Sequence, residues 1–372
     1  MSQDSHEPIA APLFSPWKWI AWAAAILVGL WVASTAVDRH RMEQLRTEVE
    51  SRGGRLEGQE LPPGWYHWLV TKVPSDWAKQ TAIKLKSNFR RVVAVHLPPG
   101  ATLPPQFISR LTRFQQINTI DLPGCQLTDL DLEGLPKFTK LKYLDLRENP
   151  VTDKGLAQLG ELSSLEVIIL DETRAGDEVL RQASKLPKLI TLMLSKTNVT
   201  DAGLGALGTD PASGHPTLKV LFLNGTQISD TGLSLLPPQP ALTQLTLEGC
   251  AITDRGLGEI NDGRFPMLTA LNVLETKVTA DGISRLRLGH LQSLGFPNVA
   301  MTDKHWRGLT GLKKLDYVFW GDASLRRVEE FPATGHRLRL DSFRATGVFR
   351  SGRRNGLFMG QRFPQSPVPE FR

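Results

Sequence analysis

Few groups in this chain could do chemistry, and the first to consider is an acid beside a hydroxyl. Thr200-Asp201, in the stretch NVTDAGLGAL, could hold a cation or move a proton. The phrase recurs as QLTDLDL from Gln126, PVTDKGL from Pro150, QISDTGL from Gln227, AITDRGL from Ala251 and AMTDKHW from Ala300. A reactive site is rarely copied along one chain, whereas the turn of a repeat array has to be. A calcium ladder would need six or more oxygens converging on one point, so a capping role is expected instead. Thr or Asp ahead of a short helical turn accepts from its unpaired N–H groups, contributing ~1 kcal/mol, and the following Gly lets neighbouring backbones approach.

The other reactive types are sparse. Cys125 and Cys250 are the two cysteines, and His96 is the one histidine placed on a strand face, where a solvated role is expected. There is no phosphate loop, no His-x-x-x-His pair, no Gly-x-Ser-x-Gly elbow and no second cysteine near a histidine. The chain is therefore read as no enzyme, with no cofactor and no metal ligands. The glycosylation triplets at Asn198 and Asn224 are by-products of the repeat phrase.

That phrase is L-x-x-L-x-L-x-x-(T/N/C)-x-(I/V)-(T/S)-D-x-G-L, with its turn residue at Cys125, Asn149, Thr173, Thr197, Thr226, Cys250 and Thr276. Degenerate copies fall near Gly100 and Val299, and the steps are 24 residues four times, with 29, 26, 25 and 23 for the rest. Each copy changes its hydrophobic period. Leu144 and Leu146 alternate with Tyr143, Asp145 and Arg147 as in a strand with one buried face. Leu156, Leu159 and Leu162 are then spaced by three, as in a short helical or 3-10 segment. Stacked copies of such a unit make an α/β solenoid, with a parallel sheet on the concave face and short helical or 3-10 segments on the convex face. Cys125 and Cys250 lie five repeats apart, roughly 24 Å at strand spacing, beyond the ~7 Å limit for a disulfide. Free buried thiols are expected.

These repeats resemble leucine-rich repeats of the short, cysteine-containing type, the kind seen in F-box substrate receptors, over about residues 90 to 320. The layout of an apolar N-terminal segment, then EVESRGGRLEGQ, then Thr-Asp-x-Gly-Leu repeats is also similar to bacterial membrane-anchored leucine-rich-repeat proteins. Two phrases depart from the pattern: Ala175-Gly176-Asp177 lacks the hydroxyl, and Thr279-Ala280-Asp281 carries an insertion.

The flanks differ in kind. Residues 1–16 form an N-terminal tail, and 17–37 read as a transmembrane helix, since Trp19 to Val37 is uncharged over about the length of a ~30 Å hydrocarbon layer. The rival reading is a cleaved signal peptide, with Ser34 and Ala36 before the cut. Lys18 precedes the span, whereas Arg39, Arg41, Arg46, Arg52 and Arg55 follow it, which assigns the repeats to the cytoplasmic side of a single-pass membrane protein. Residues 38–58 read as a juxtamembrane helix, with a Met42, Leu45, Val49 stripe, and a linker; 59–90 as a tryptophan-rich N-terminal cap; and 91–320 as the repeats. Residues 321–372 read as a basic, disordered tail. The formal net charge of +6 arises in the last 48 residues, where ten arginines face Glu329, Glu330, Asp341 and Glu370, 10 − 4. A contact with an anionic surface would use Arg337, Arg339, Arg344, Arg350, Arg353 and Arg354. No nucleic-acid-binding module accompanies them, so nucleic acid is not an expected partner.

Alternation also predicts which side chains line the concave face. The central row reads His96, Asp121, Asp145, Ile169, Met193, Phe222, Thr246, Asn272 and Gly295. Its apolar middle, bordered by Tyr143, Val167 and Val220 and flanked by Asp121, Asp145 and Asp171, has the make-up of an interaction surface. Ile169 and Phe222 are expected to be exposed there. The expected function is a membrane-anchored scaffold binding a protein or peptide partner through Tyr143, Asp145, Val167, Ile169, Asp171, Met193, Val220 and Phe222. The alternative is an F-box-like adaptor recruiting substrates to a ubiquitin ligase; it would need a ligase-docking helical domain ahead of the repeats. Oligomeric state is not legible.

Overall fold

The computed structural model describes residues 37–60, 90–208, 214–261 and 263–320. The chain divides into two compact units, Met1–Asn198 and Val199–Arg372. In the first, β1 (Arg55–Glu60) runs antiparallel to β2 (Arg90–His96). β3 (Thr119–Asp121), β4 (Tyr143–Asp145), β5 (Val167–Ile169) and β6 (Thr191–Met193) then add in chain order, each parallel to the last. In the second unit β7 (Val220–Phe222), β8 (Gln244–Thr246), β9 (Ala270–Asn272), β10 (Ser293–Phe296) and β11 (Tyr317–Trp320) form a parallel run.

The strands are short because only three residues per repeat alternate before the turn. Ile120, Leu144, Ile168 and Leu192 at the strand centres, and Leu122, Leu146, Leu170 and Leu194 just beyond, are all fully buried. Short helices return the chain on the other side, among them Asp153–Leu156 and Asp177–Ala183 in the first unit and Asp230–Leu235 and Asp254–Asn261 in the second. The switch from a two-residue to a three-residue period in the sequence is this change from strand to helix.

The turn residue closes its own corner. Thr173, Thr197 and Thr226 each donate their hydroxyl to the carbonyl three residues back, at 2.6–2.7 Å. Asn149 does more: Nδ2 donates to the carbonyls of Leu122 and Leu146, and Oδ1 accepts from the Leu127 N–H. Cys125 and Cys250 fill the same position as free, buried thiols. Burial pushes the Cys125 thiol up to about 11.

The Thr-Asp phrase divides its labour in a way the capping expectation only half captured. The hydroxyl caps its own helix, as Thr152 accepts from Lys154 N–H and Ser229 from Thr231 N–H. The aspartate instead reaches the next repeat. Asp129 accepts from Thr152 N–H at 2.7 Å and from its hydroxyl at 2.6 Å. Asp230 does the same with Thr253, and Asp254 with Thr279. Where the hydroxyl is missing, Asp153 accepts from the backbone of Gly176 and Glu178. The glycine of the phrase leaves room for this carboxylate: a Cβ on Gly155 would stand 2.6 Å from Asp129 Oδ1.

Two expectations on the N-terminal side are revised. Residues 37–50 are helical with Leu45 and Val49 buried, but Arg55–Glu60, expected as the end of the linker and the start of the cap, is strand β1. Membrane localisation, with the repeats on the cytoplasmic side, is corrected: among the described residues no helix is long and apolar enough to cross a membrane. Residues 17–36 of the expected span and the 61–89 part of the expected cap lie outside the described residues, as does the 321–372 tail.

Candidate interaction face of the sheet

Strand register fixes which side chains share the face opposite the core. In the first unit His96, Asp121, Asp145, Ile169 and Met193 form one row, and Ala94, Thr119, Tyr143, Val167 and Thr191 form the next. Arg147 and Asp171 follow two residues beyond Asp145 and Ile169. Six of the eight candidate contact residues, Tyr143 to Met193, therefore stand in this unit in the register the sequence implied.

Exposure differs from expectation. Ile169 is 4% exposed and Met193 8%, with Val167 and Val220 also buried. Neighbours in a row stand ~4.8 Å apart, so branched side chains pack flank to flank and leave only their tips to solvent. Ile169 is thus part of the packing, which corrects its reading as an exposed residue. Tyr143, Asp171 and Phe222 are half-buried.

The charged part of the face is a connected network. Asp145, fully buried, accepts from the Arg147 guanidinium and, at 3.0 Å, from its backbone N–H. Burial outweighs the pull of that guanidinium and holds the Asp145 carboxyl at about 6. Burial also raises Asp171, which accepts from Ser195 N–H at 2.6 Å, and Tyr143, beside Asp145. Arg147 Nε is buried with no hydrogen-bond partner among the described residues. His96, expected to be merely solvated, sets Nδ1 3.0 Å from Asp121 Oδ2 and Nε2 3.8 Å from Glu57 Oε1. Sequence reasoning missed Arg147 and the His96 partners; the available signal was Arg147 falling two residues after Asp145, on the same face. Among the described residues no group of three or more His, Cys, Asp or Glu could hold a metal ion.

The paired strand positions of the second unit carry no charged side chain, and Glu248, two residues beyond Thr246, is the charged residue bonded to that face. Phe222, Thr246, Asn272 and Gly295 share one row; Val220, Gln244, Ala270 and Ser293 share the next. Asn272 Oδ1 accepts from Leu274 N–H and Nδ2 donates to Glu248. A Cβ on Gly295 would sit 2.8 Å from that Oδ1, so glycine is what admits the amide. The hydroxyls of Thr246 and Ser293 are buried and have no partner among the described residues. The six arginines proposed for an anionic surface, Arg337 to Arg354, lie outside the described residues.

The comparisons with known proteins follow the same outline. The family profile described as Leucine Rich repeat matches residues 139–160 and 214–236, each spanning a strand and the short helix that follows it. No curated protein matches the chain. Among solved structures it is similar to an internalin from Listeria monocytogenes, at 19% identity over 57% of this chain and 69% of that one, with a TM-score of 0.39. It is also similar to a plant ice-binding protein, at 15% identity over 63% of this chain and 73% of that one, with a TM-score of 0.41. The repeat phrase, its one-strand, one-helix unit and the family profile agree: the chain carries leucine-rich repeats.

Proposed function

We propose that this protein is a recognition scaffold that binds a protein or peptide partner on the strand face opposite its leucine core. Leucine-rich repeat proteins are typically non-enzymatic scaffolds, and no chemistry-bearing motif in the sequence argues otherwise. The observation that carries the reading is the placement of Tyr143 and Phe222. Both are large aromatics, half-buried on the strand face of their units, and Tyr and Phe are enriched where protein surfaces meet. The contact set is Tyr143, Asp145, Val167, Ile169, Asp171 and Met193 in the first unit and Val220 and Phe222 in the second. The buried members shape the floor, while Tyr143, Asp171 and Phe222 reach solvent. Nothing among the described residues favours the ubiquitin-ligase adaptor.

A photo-crosslinking residue at Phe222 tests the face. Leu235, half exposed on the helical side of the same unit, is the comparison. The full-length chain should yield a discrete cross-linked partner from position 222 and none from 235. Equal yields from both positions would remove the strand face as the binding surface.

A further inference from the structure

We propose that the edge by which the chain enters strands β10 and β11 of the second unit is a docking surface for an acidic, carboxylate-rich segment of a protein partner. This edge is a different surface from the strand face, and its use does not depend on that face. Between residues 285 and 316 stand six Lys or Arg, against Asp303 and Asp316. Leu286, Leu288, Leu291, Leu312 and Leu315 are buried, which turns the residues between them outward. Arg285, Arg287, His290, Lys313 and Lys314 are all exposed.

Strand register stacks these side chains. Ala270, Ser293 and Tyr317 pair across β9, β10 and β11, so Met267, His290 and Lys314, each three residues earlier, form one row. Lys314 Nζ stands 3.0 Å from His290 Nδ1. At the matching positions of the first unit Lys140 donates to the amide oxygen of Gln116, and Lys142 and Lys196 reach carboxylates on neighbouring repeats, Glu166 and Glu172. On β10 and β11 the cations gather without such an acceptor. Arg285, Arg287, Lys313 and Lys314 make no ion pair among the described residues, and Asp316, exposed at the entry to β11, pairs with none of them. Like charges held together repel, and an incoming carboxylate relieves that repulsion.

Arg287 is already in place for such a ligand. Its Nη1 donates to the carbonyls of Ser284, Leu286 and Gly308, which fixes the head and leaves Nη2 and Nε without a bond among the described residues. That is a side a carboxylate can take in a bidentate pair, and fixing it beforehand lowers the ordering cost of binding. Met267, 52% exposed beside His290, supplies an apolar contact, and Met and Arg are enriched where proteins meet. No Phe, Tyr or Trp stands in these rows to stack a base, which favours a protein over a nucleic acid.

The test uses the full-length chain with a photo-crosslinking residue at Met267 or, for comparison, at Leu235 on the helical side. The probes are a glutamate-rich peptide, its glutamine counterpart, a single-stranded oligonucleotide and vesicles containing an anionic phospholipid. The glutamate peptide should cross-link at 267 and not at 235, and less so as salt is raised. Its capture should fall at least ~10-fold in Lys313→Glu with Lys314→Glu. The arginines of the C-terminal tail are the same in both proteins, so the difference reports the edge. Phe222→Glu should leave this capture unchanged. Undiminished capture by the folded double variant overturns the site, as does equal capture of the glutamine peptide. Stronger cross-linking at 267 to the oligonucleotide or the lipid overturns the acidic protein segment as its ligand. If the double reversal melts early, Lys313→Gln with Lys314→Gln, which removes charge without adding any, decides between the same outcomes.

Discussion

Asp145 shows how little a residue's type reveals of its state. In the sequence it is one polar residue alternating with leucines; in the fold it is a buried carboxyl beside Arg147, held near 6 by desolvation. The sign of its effect on stability follows from that elevation. The folded state takes up a proton at about 6, whereas the unfolded chain waits until about 3.8. Stability from this group therefore rises as pH falls through that window, and the gain is absent above it. Asp145→Asn, which carries no titrating proton, should flatten the rise in melting temperature between about pH 6 and 4 relative to wild type. Parallel melting curves for the two proteins across that range would contradict the burial argument. The alternation that placed Asp145 on the outer face was legible; its burial was not, because that depends on Arg147 folding over it and on rows above and below.

The repeating element is held together by a contact that crosses repeat boundaries. The Thr-Asp-x-Gly-Leu phrase could be read from the sequence as a structural turn, and the hydroxyl does cap its helix. The aspartate's target could not be read, because Thr152 lies 23 residues from Asp129 and the pairing exists only once the repeats stack. The glycine likewise reads as a turn residue, whereas its use is to make room for the previous repeat's carboxylate. Asp230→Ala removes the acceptor for Thr253 N–H and its hydroxyl and should destabilise the protein by ~1–3 kcal/mol. Asp281 makes a looser pair, its 61% exposed side chain 3.3 Å from His305. Asp281→Ala should change stability by less than ~0.5 kcal/mol. Denaturant midpoints compare them directly, and equal losses would remove the bridge as the reason for the aspartate.

For the molecule as a whole, the sequence disclosed the solenoid unit, the row register within each unit and the leucines of the core. Period and phrase encode these, and they survive in every copy. It did not disclose that the paired strand positions carry a charged network in the first unit and only uncharged side chains in the second. That difference arises from a handful of positions, His96, Asp121, Asp145 and Arg147 against Thr246, Asn272, Ser293 and Gly295, which follow no period. The membrane reading rested on the hydropathy of residues 17–37 alone, and among the described residues no helix is long and apolar enough to cross a membrane. The central claim is that the strand face is what a partner recognises. The most direct measurement is partner capture by full-length Phe222→Glu, beside its melting temperature and that of Leu221→Ala. Phe222→Glu should lose the partner recovered by the wild type while melting within a degree or two of it, as expected of a half-exposed residue. Leu221→Ala should lose ~2–5 kcal/mol of stability, because that leucine is fully buried. Full retention of the partner by a folded Phe222→Glu protein would contradict the account.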